Sequence, residues 1–181
     1  MEHVTLNGRR FKTFIDNDTI TKAIEEVAAR INADFKDSTD TPILLCVLNG
    51  SIMFTAELMK RLEFNLELVS IKLTSYSGTS STGKVRQAMG LTSDISGRRV
   101  IIVEDIVDTG NTIVALKELL REKGAKETVV CTMLLKPEVY SKDVPLEYVA
   151  IEIPNRFIVG FGLDYDEIGR NLKDIYVLDE D

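Results

Sequence analysis

Between Val103 and Thr112 the chain reads VEDIVDTGNT, so that Glu104, Asp105 and Asp108 are followed at once by Thr109, Gly110, Asn111 and Thr112. The second half supplies hydroxyls, an amide and a glycine that permits tight curvature. Between a strand and a helix, successive backbone N–H groups in such a turn form an anion site suited to phosphate. Helix capping by Thr109 or Asn111 draws on the same residue types. The stretch matches neither the GxxxxGKS/T phosphate loop nor the GxGxxG dinucleotide fingerprint. A cap needs one carboxylate, and Asp108 meets that need. Glu104 and Asp105 lie farther upstream, where like charges repel unless cations or hydroxyls stand between them. Vicinal ribose hydroxyls and a hydrated Mg²⁺ both answer that description, because both suit hard oxygen ligands. A phosphate nest beside such an acid pair describes a ribose 5-phosphate site. Asp108, between the two, is placed to take a proton from a group bonded at C1 of the sugar.

The elements that must position these residues are marked by hydrophobic periodicity. RRVIIV, residues 98–103, is a buried strand that leads into the motif, with its end expected at Val103. TIVALKELLREKG follows as a helix with an apolar stripe at Ile113, Leu116, Leu119 and Leu120 and a stop at Gly124. Residues 20–31 carry the i, i+3, i+4, i+7 spacing of an amphipathic helix, with Asp18 or Thr19 near its start. PILLCVLNG is a short apolar strand stopped by Asn49-Gly50, SIMFTAELMKRL a helix, and LELVSIKL the next strand. ETVVCTMLLK, YVAIEI, FIVGFG and DIYVL supply the remaining strands. Strands alternating with helices predict an α/β fold, a mostly parallel central sheet flanked by helices. The terminal segments lack that alternation and are expected to form a small antiparallel element. In such sheets the ligand crevice lies beyond the carboxyl ends of the strands. Asn49-Gly50, Thr74 onward, Glu104 onward and Lys136-Pro137 should therefore converge on one rim. Residues 74–90, TSYSGTSSTGKVRQAMG, are long, polar and Gly-rich and read as a loop or lid.

Composition bounds the rest. The 181 residues suit a single domain, 1–181, with no repeat or linker. A formal net charge of −7 argues against a nucleic-acid backbone as partner, while leaving room for small anionic substrates held by local positive potential. No apolar run approaches the roughly 20 residues that span a bilayer, and MEHVTLNGRRFKTF has no apolar h-region. No membrane partner is expected. Cys46 and Cys131 sit within apolar runs and read as buried free thiols, which suits a cytoplasmic protein. A lone His3 and two separated cysteines give no zinc pattern.

VEDIVDTGNT resembles the phosphoribosyl-pyrophosphate motif of the type I phosphoribosyltransferases. The ordered set LNGS, KLTSYSGTSSTGKV, VEDIVDTGNT, LLKP and IPNRFIVGFGLDYDEIGR, spread from Pro42 to Val177, is similar to their bacterial hypoxanthine-guanine branch. The resemblance implies that family's fold, with a small hood built from terminal segments. It implies purine salvage, in which an Mg²⁺-dependent enzyme transfers the phosphoribosyl group of 5-phosphoribosyl 1-pyrophosphate to hypoxanthine or guanine. A xanthine-preferring transferase and a non-catalytic nucleotide-binding regulator are the alternatives.

By position, Glu104 and Asp105 resemble the pair that holds the ribose hydroxyls directly or through Mg²⁺. Asp108 resembles the general base that accepts the purine N7 proton. Thr109, Gly110, Asn111 and Thr112 resemble the 5′-phosphate loop, with Ile106 inside the same substrate-binding segment. Leu48-Asn49-Gly50 matches the pyrophosphate loop, whose first peptide bond is often cis. Family members often carry Lys or Arg at the position of Asn49, so backbone N–H groups are implied here. Ser75 and Tyr76 match the start of a closing loop.

Lys136 resembles the lysine that meets the purine 6-oxo group, although a snorkelling surface lysine fits its sequence context equally. Phe157, otherwise a core residue, resembles the ring that stacks on the base, and Ile158 the backbone at the base edge. Asp164 resembles a ligand for a second Mg²⁺, or else an N-cap for YDEIGR. Arg170 resembles a pyrophosphate contact, or else a solvated charge. The family relation also implies a homodimer or homotetramer.

Overall fold

The most apolar runs lie at the centre of the molecule, because only strands covered on both faces can be apolar throughout. The computed structural model describes residues 2–37, 39–74, 86–89, 91 and 93–179. The chain opens with β1 (His3–Leu6), β2 (Arg9–Ile15), α1 (Asn17–Phe35), β3 (Ile43–Leu48), α2 (Ile52–Met59) and β4 (Glu67–Thr74). It continues with β5 (Arg86–Met89), β6 (Arg99–Val107), α3 (Asn111–Glu122), β7 (Glu127–Leu135), β8 (Tyr148–Glu152), β9 (Ile158–Val159) and β10 (Ile175–Leu178). Two sheets result. The larger has the order β5-β4-β3-β6-β7-β8, parallel except for β5. The smaller, β1-β2-β10-β9, is antiparallel and made from the two ends of the chain. The expected α/β sheet and terminal hood are both present.

The strand order fixes where a ligand can bind. From β3 the sheet is extended one way by β4, and from β6 the other way by β7 and β8, so connectivity reverses between β3 and β6. Such a switch point opens a crevice at the carboxyl ends of the two strands. The register shows it opening. β6 pairs with β3 only as far as Cys46↔Val103, but it pairs with β7 through Val107↔Leu135. β6 therefore does not end at Val103. Its last four residues, Glu104 to Val107, stay in the sheet because β7 continues to pair with them, and they face the gap that β3 has left.

Several boundaries differ from the sequence reading. Helix α1 begins earlier and is capped by Asp16, whose carboxylate accepts the Thr19 N–H at 2.8 Å; Asp18 and Thr19 lie inside the helix. It runs on to Phe35 because the buried stripe continues through Ile31 to Phe35. Helix α2 ends at Met59 rather than Leu62, in a tighter turn in which Arg61 and Leu62 donate to Leu58 and Met59. FIVGFG gives only the two-residue β9, since Gly160, Phe161 and Gly162 take positive φ values of 99°, 49° and 99°. Within 74–90, Arg86–Met89 is an edge strand antiparallel to β4 rather than loop, and polar composition is compatible with a sheet edge. The remainder of that stretch, including Ser75 and Tyr76, lies outside the described residues. Cys46 and Cys131 are buried free thiols, as expected.

The hood packs on the main sheet through side chains such as Ile15, Ile158 and Ile175, in one core with Leu44, Ile101 and Val103, and through a close backbone approach. A Cβ on Gly162 would lie 2.0 Å from the Gly50 carbonyl oxygen, so a bare glycine allows this close approach to the loop after β3. Gly162→Ala places a methyl group against backbone at a positive φ. It is expected to lower unfolding free energy by about 2–3 kcal/mol, read by urea denaturation. A variant as stable as the parent would show that this approach is not a constraint.

Candidate active site

Glu104 and Asp105 occupy the freed end of β6. They line a polar cavity of about 250 Å³ with Val47, Leu48, Leu73, Ile106 and Thr112. Glu104 is only 6% exposed. Burial first, and the neighbouring charge of Asp105 second, push its carboxyl well above the usual carboxylate range. Its Oε2 has no hydrogen-bond partner among the described residues. Burial also raises Asp105, against the pull of a hydrogen bond with Glu104, of the Ile106 N–H, which donates to Oδ1 at 2.7 Å, and of the Arg170 charge. A buried oxygen without a donor calls for a cation, a hydroxyl or water. The donor set is all carboxylate, which suits Mg²⁺. Among the described residues no group of three or more His, Cys, Asp and Glu side chains could enclose a metal. A magnesium ion held here would be bound through one or two carboxylates and completed by water and substrate oxygens, its ordinary habit.

The loop after β3 closes one side of the cavity. Its Leu48–Asn49 peptide bond is cis. Gly50 lies against the acid pair so tightly that a Cβ there would fall 1.5 Å from Asp105 Oδ2. Any side chain at position 50 would displace the carboxylate.

The turn after β6 ends at Gly110, which has φ +83° and serves as the N-cap of α3 without any side-chain cap. Capping by Thr109 or Asn111 is therefore not what these residues do. Asn111 is the first helical residue, and Thr112 turns into the acid-lined cavity. A Cβ on Gly110 would meet the Tyr140 ring at 2.5 Å, so the bare glycine lets Tyr140 cover the turn from outside. The uncapped N–H groups at the start of α3 are left available to an anion beside the carboxylates.

Asp108 is half exposed at the mouth of the site, with Lys136 Nζ 3.5 Å from its Oδ2. Lys136 is not a surface residue; it is 9% exposed. Its backbone N–H donates to the Val107 carbonyl at 3.0 Å, which ties the end of β7 to the end of β6. Its ammonium donates to Asn155 Oδ1 at 3.2 Å.

Phe157 is not core either, for it stands 47% exposed. Its ring lies 5.7 Å from Tyr165, edge to face, and 6.2 Å from Phe11. Arg9 in turn lies over Tyr165 at 5.5 Å. Ile158 is buried on the edge strand of the hood. Leu178 N–H donates to the Phe157 carbonyl, so Ile158 opposite Val177 is a non-hydrogen-bonded pair. Its backbone N–H and C=O then point away from β10, at the open sheet edge.

Asp164 pairs with Arg170 at 2.7 Å and accepts the Glu167 N–H at 2.9 Å. It closes a bridged turn rather than capping a helix, with Tyr165 and Ile168 paired across it. Arg170 is not a free surface charge, because it also donates to the Gly162 carbonyl at 2.9 Å. The structure thus brings Asn49, Gly50, Glu104, Asp105, Ile106, Asp108, Thr112 and Lys136 to one rim. The aromatic hood residues and the Asp164–Arg170 pair belong to the neighbouring layer. Asn155, Tyr140 and Tyr165 were missed by sequence reasoning, because their contacts join elements distant in sequence.

A parallel sheet with its acids at the switch point, an uncapped helix start and a hood is the architecture of phosphoribosyl transfer. The chain matches the family described as phosphoribosyl transferase domain over residues 12–166. It belongs to the type I phosphoribosyltransferases, and within them to the hypoxanthine-guanine branch of purine-salvage enzymes. A hypoxanthine-guanine phosphoribosyltransferase of Streptococcus pneumoniae is 39% identical over 171 residues, 94% of each chain. One from Streptococcus agalactiae is 40% identical over 169 residues, covering 93% of this chain and 92% of its own. Among solved structures, a hypoxanthine-guanine phosphoribosyltransferase of Bacillus anthracis superposes with a TM-score of 0.86 at 35% identity, covering 93% of this chain and 98% of its own.

Because Glu104 is protonated more readily folded than unfolded, its burial favours the unliganded fold below the ordinary carboxylate pKa. That contribution is lost as pH rises through the elevated folded value. Glu104→Gln removes the share of the dependence that belongs to Glu104. The variant should gain melting temperature over the parent, more at pH 8 than at pH 5, in calorimetry without ligand. A gain independent of pH would contradict the account of the buried acid.

Proposed function

We propose that this protein joins hypoxanthine or guanine to the phosphoribosyl group of 5-phosphoribosyl 1-pyrophosphate, giving IMP or GMP and pyrophosphate. The observation that carries the choice of base is Lys136, a buried ammonium held at the rim beside Asp108. An ammonium only donates, so it favours a base with a 6-oxo acceptor over adenine, whose 6-amino group is itself a donor.

In this reading the uncapped start of α3, with Thr109 to Thr112, holds the 5′-phosphate, while Glu104 and Asp105 hold the ribose hydroxyls or Mg²⁺ beside them. Bound Mg²⁺ would supply charge neutralisation for the departing pyrophosphate. Backbone of the Leu48–Gly50 loop and the Arg170 side chain receive the pyrophosphate, and Asp164 is the second proposed metal ligand. Phe157 stacks on the base, and the outward N–H and C=O of Ile158 meet its edge. As the C1–oxygen bond to pyrophosphate breaks, purine N9 bonds to C1 and the N7 proton passes to Asp108. A cytoplasmic homodimer or homotetramer belongs to the same proposal on the strength of the family relation.

The test is nucleotide formation from hypoxanthine, guanine, xanthine and adenine, each with the phosphoribosyl donor and Mg²⁺. Product from hypoxanthine or guanine with little from adenine is expected. Xanthine as the best substrate would move the assignment to that specificity, and no product from any base would favour a binding protein. Asp108→Asn should keep donor binding and lose roughly 10²–10⁴-fold in kcat. Full turnover by that variant would remove Asp108 from the mechanism.

A further inference from the structure

Asn155, inside the IPNRFIVGFGLDYDEIGR stretch, has no role in the reading above, yet among the described residues it is one of two groups that hold the Lys136 ammonium. The distances are 3.2 Å from Nζ to Asn155 Oδ1 and 3.5 Å to Asp108 Oδ2. Since lysine only donates, the amide must turn its oxygen to Lys136 and its NH₂ away. The backbone fixes that direction. Ile153 N–H donates to the Leu135 carbonyl at 2.8 Å, pinning the segment beside the residue that precedes Lys136. Pro154 restricts the next torsion, and Arg156 N–H closes back on the Pro154 carbonyl at 2.8 Å. Asn155 is thus the central residue of a three-residue turn. Two residues later the chain reaches Phe157, whose carbonyl is tied to Leu178.

We infer that Asn155 is a positioning residue for base selection: it holds Lys136 at the height of the base stacked on Phe157 and keeps the ammonium from collapsing onto Asp108. This rests on the functional reading proposed above. Without the amide oxygen, Asp108 is the remaining partner of Lys136 among the described residues. The existing 3.5 Å ion pair would then tighten between the group proposed to read the 6-oxo oxygen and the group proposed to take the N7 proton. Both functions would suffer together. The phosphoribosyl donor, bound at Glu104, Asp105 and the start of α3, would not be affected. A merely structural residue would have no reason to discriminate between the two substrates.

The experiment is steady-state kinetics with each substrate varied in turn, on Asn155→Leu and Asn155→Asp. The leucine has similar size and no acceptor, whereas the aspartate restores an acceptor oxygen in the same place. In Asn155→Leu the KM for hypoxanthine should rise about tenfold or more and kcat should fall, with the KM for the donor within about twofold of the parent. Asn155→Asp should return the hypoxanthine KM to within about threefold. Because Asn155 is exposed, the melting temperature of both variants should match the parent. An unchanged hypoxanthine KM in Asn155→Leu, equal rises for both substrates, failure of Asn155→Asp to rescue, or loss of fold would each overturn the inference. Should the parent make no nucleotide from any base, the functional reading itself fails. Should the parent be active and Asn155→Leu equal to it, only the role of Asn155 fails.

Discussion

Two adjacent carboxylates, taken out of water at the end of a central strand, are the constraint to which the surrounding structure answers. Bringing like charges together in a desolvated place is unfavourable, and burial raises both Glu104 and Asp105. The strand geometry leaves them no other position. β6 remains paired with β7 beyond the point at which β3 departs, so its last residues stay rigid while their side chains face an opening. Gly50 must be bare to leave room for Asp105, and Gly162 must be bare to let the hood approach Gly50. The hood, the loop after β3 and the acid pair are therefore stacked in a single column. A cation or a pair of hydroxyls placed there would relieve an oxygen that has no partner among the described residues.

Charge is sorted around this column on a scale of a few ångströms. The protein carries a formal charge of −7, yet its rim offers an anion the uncapped start of α3, the ammonium of Lys136 and the guanidinium of Arg170. Each positive group is restrained by a neighbour: Lys136 by Asp108 and Asn155, Arg170 by Asp164 and the Gly162 carbonyl. Substrate charge would compete with these internal partners rather than fill an empty field. The hood contributes the apolar component, with Phe157 set on edge-to-face contacts with Tyr165 and backed by Phe11. An exposed aromatic face thus stands beside an open strand edge.

Much of this was legible in the sequence, for physical reasons. The buried strands announced themselves as continuous apolar runs, and the polar punctuations after β3, β6 and β7 marked the rim because a parallel sheet places its crevice there. VEDIVDTGNT contained the acid pair and the uncapped turn before α3 in ten consecutive residues, so no tertiary knowledge was needed to single them out. What could not be read was whatever depends on distance across the fold. Burial separates Lys136 from an ordinary surface lysine, and exposure separates Phe157 from an ordinary core ring; neither is a property of local sequence. The alternative of a helix cap at Thr109 or Asn111 falls away because Gly110 takes the left-handed conformation under Tyr140, thirty residues on. The continuation of β6 past Val103 was hidden for a similar reason: charged residues end a strand by composition, but pairing with β7 keeps them in the sheet. Asn155 stands inside the IPNRFIVGFG stretch, but its contact with Lys136, nineteen residues away, is not a property of local sequence.

If one rim reads a 5′-phosphate, a ribose and a 6-oxopurine together, it must distinguish nucleotides that differ only at the 6-position. Calorimetric titration of IMP and AMP, which share phosphate and ribose and differ at the 6-position, tests it most directly. The account predicts that IMP binds at least about tenfold more tightly than AMP, the worth of one charge-assisted hydrogen bond, and that Lys136→Met abolishes the difference while leaving AMP affinity unchanged. Equal affinity for the two nucleotides in the parent protein, or a preference that survives Lys136→Met, would contradict it.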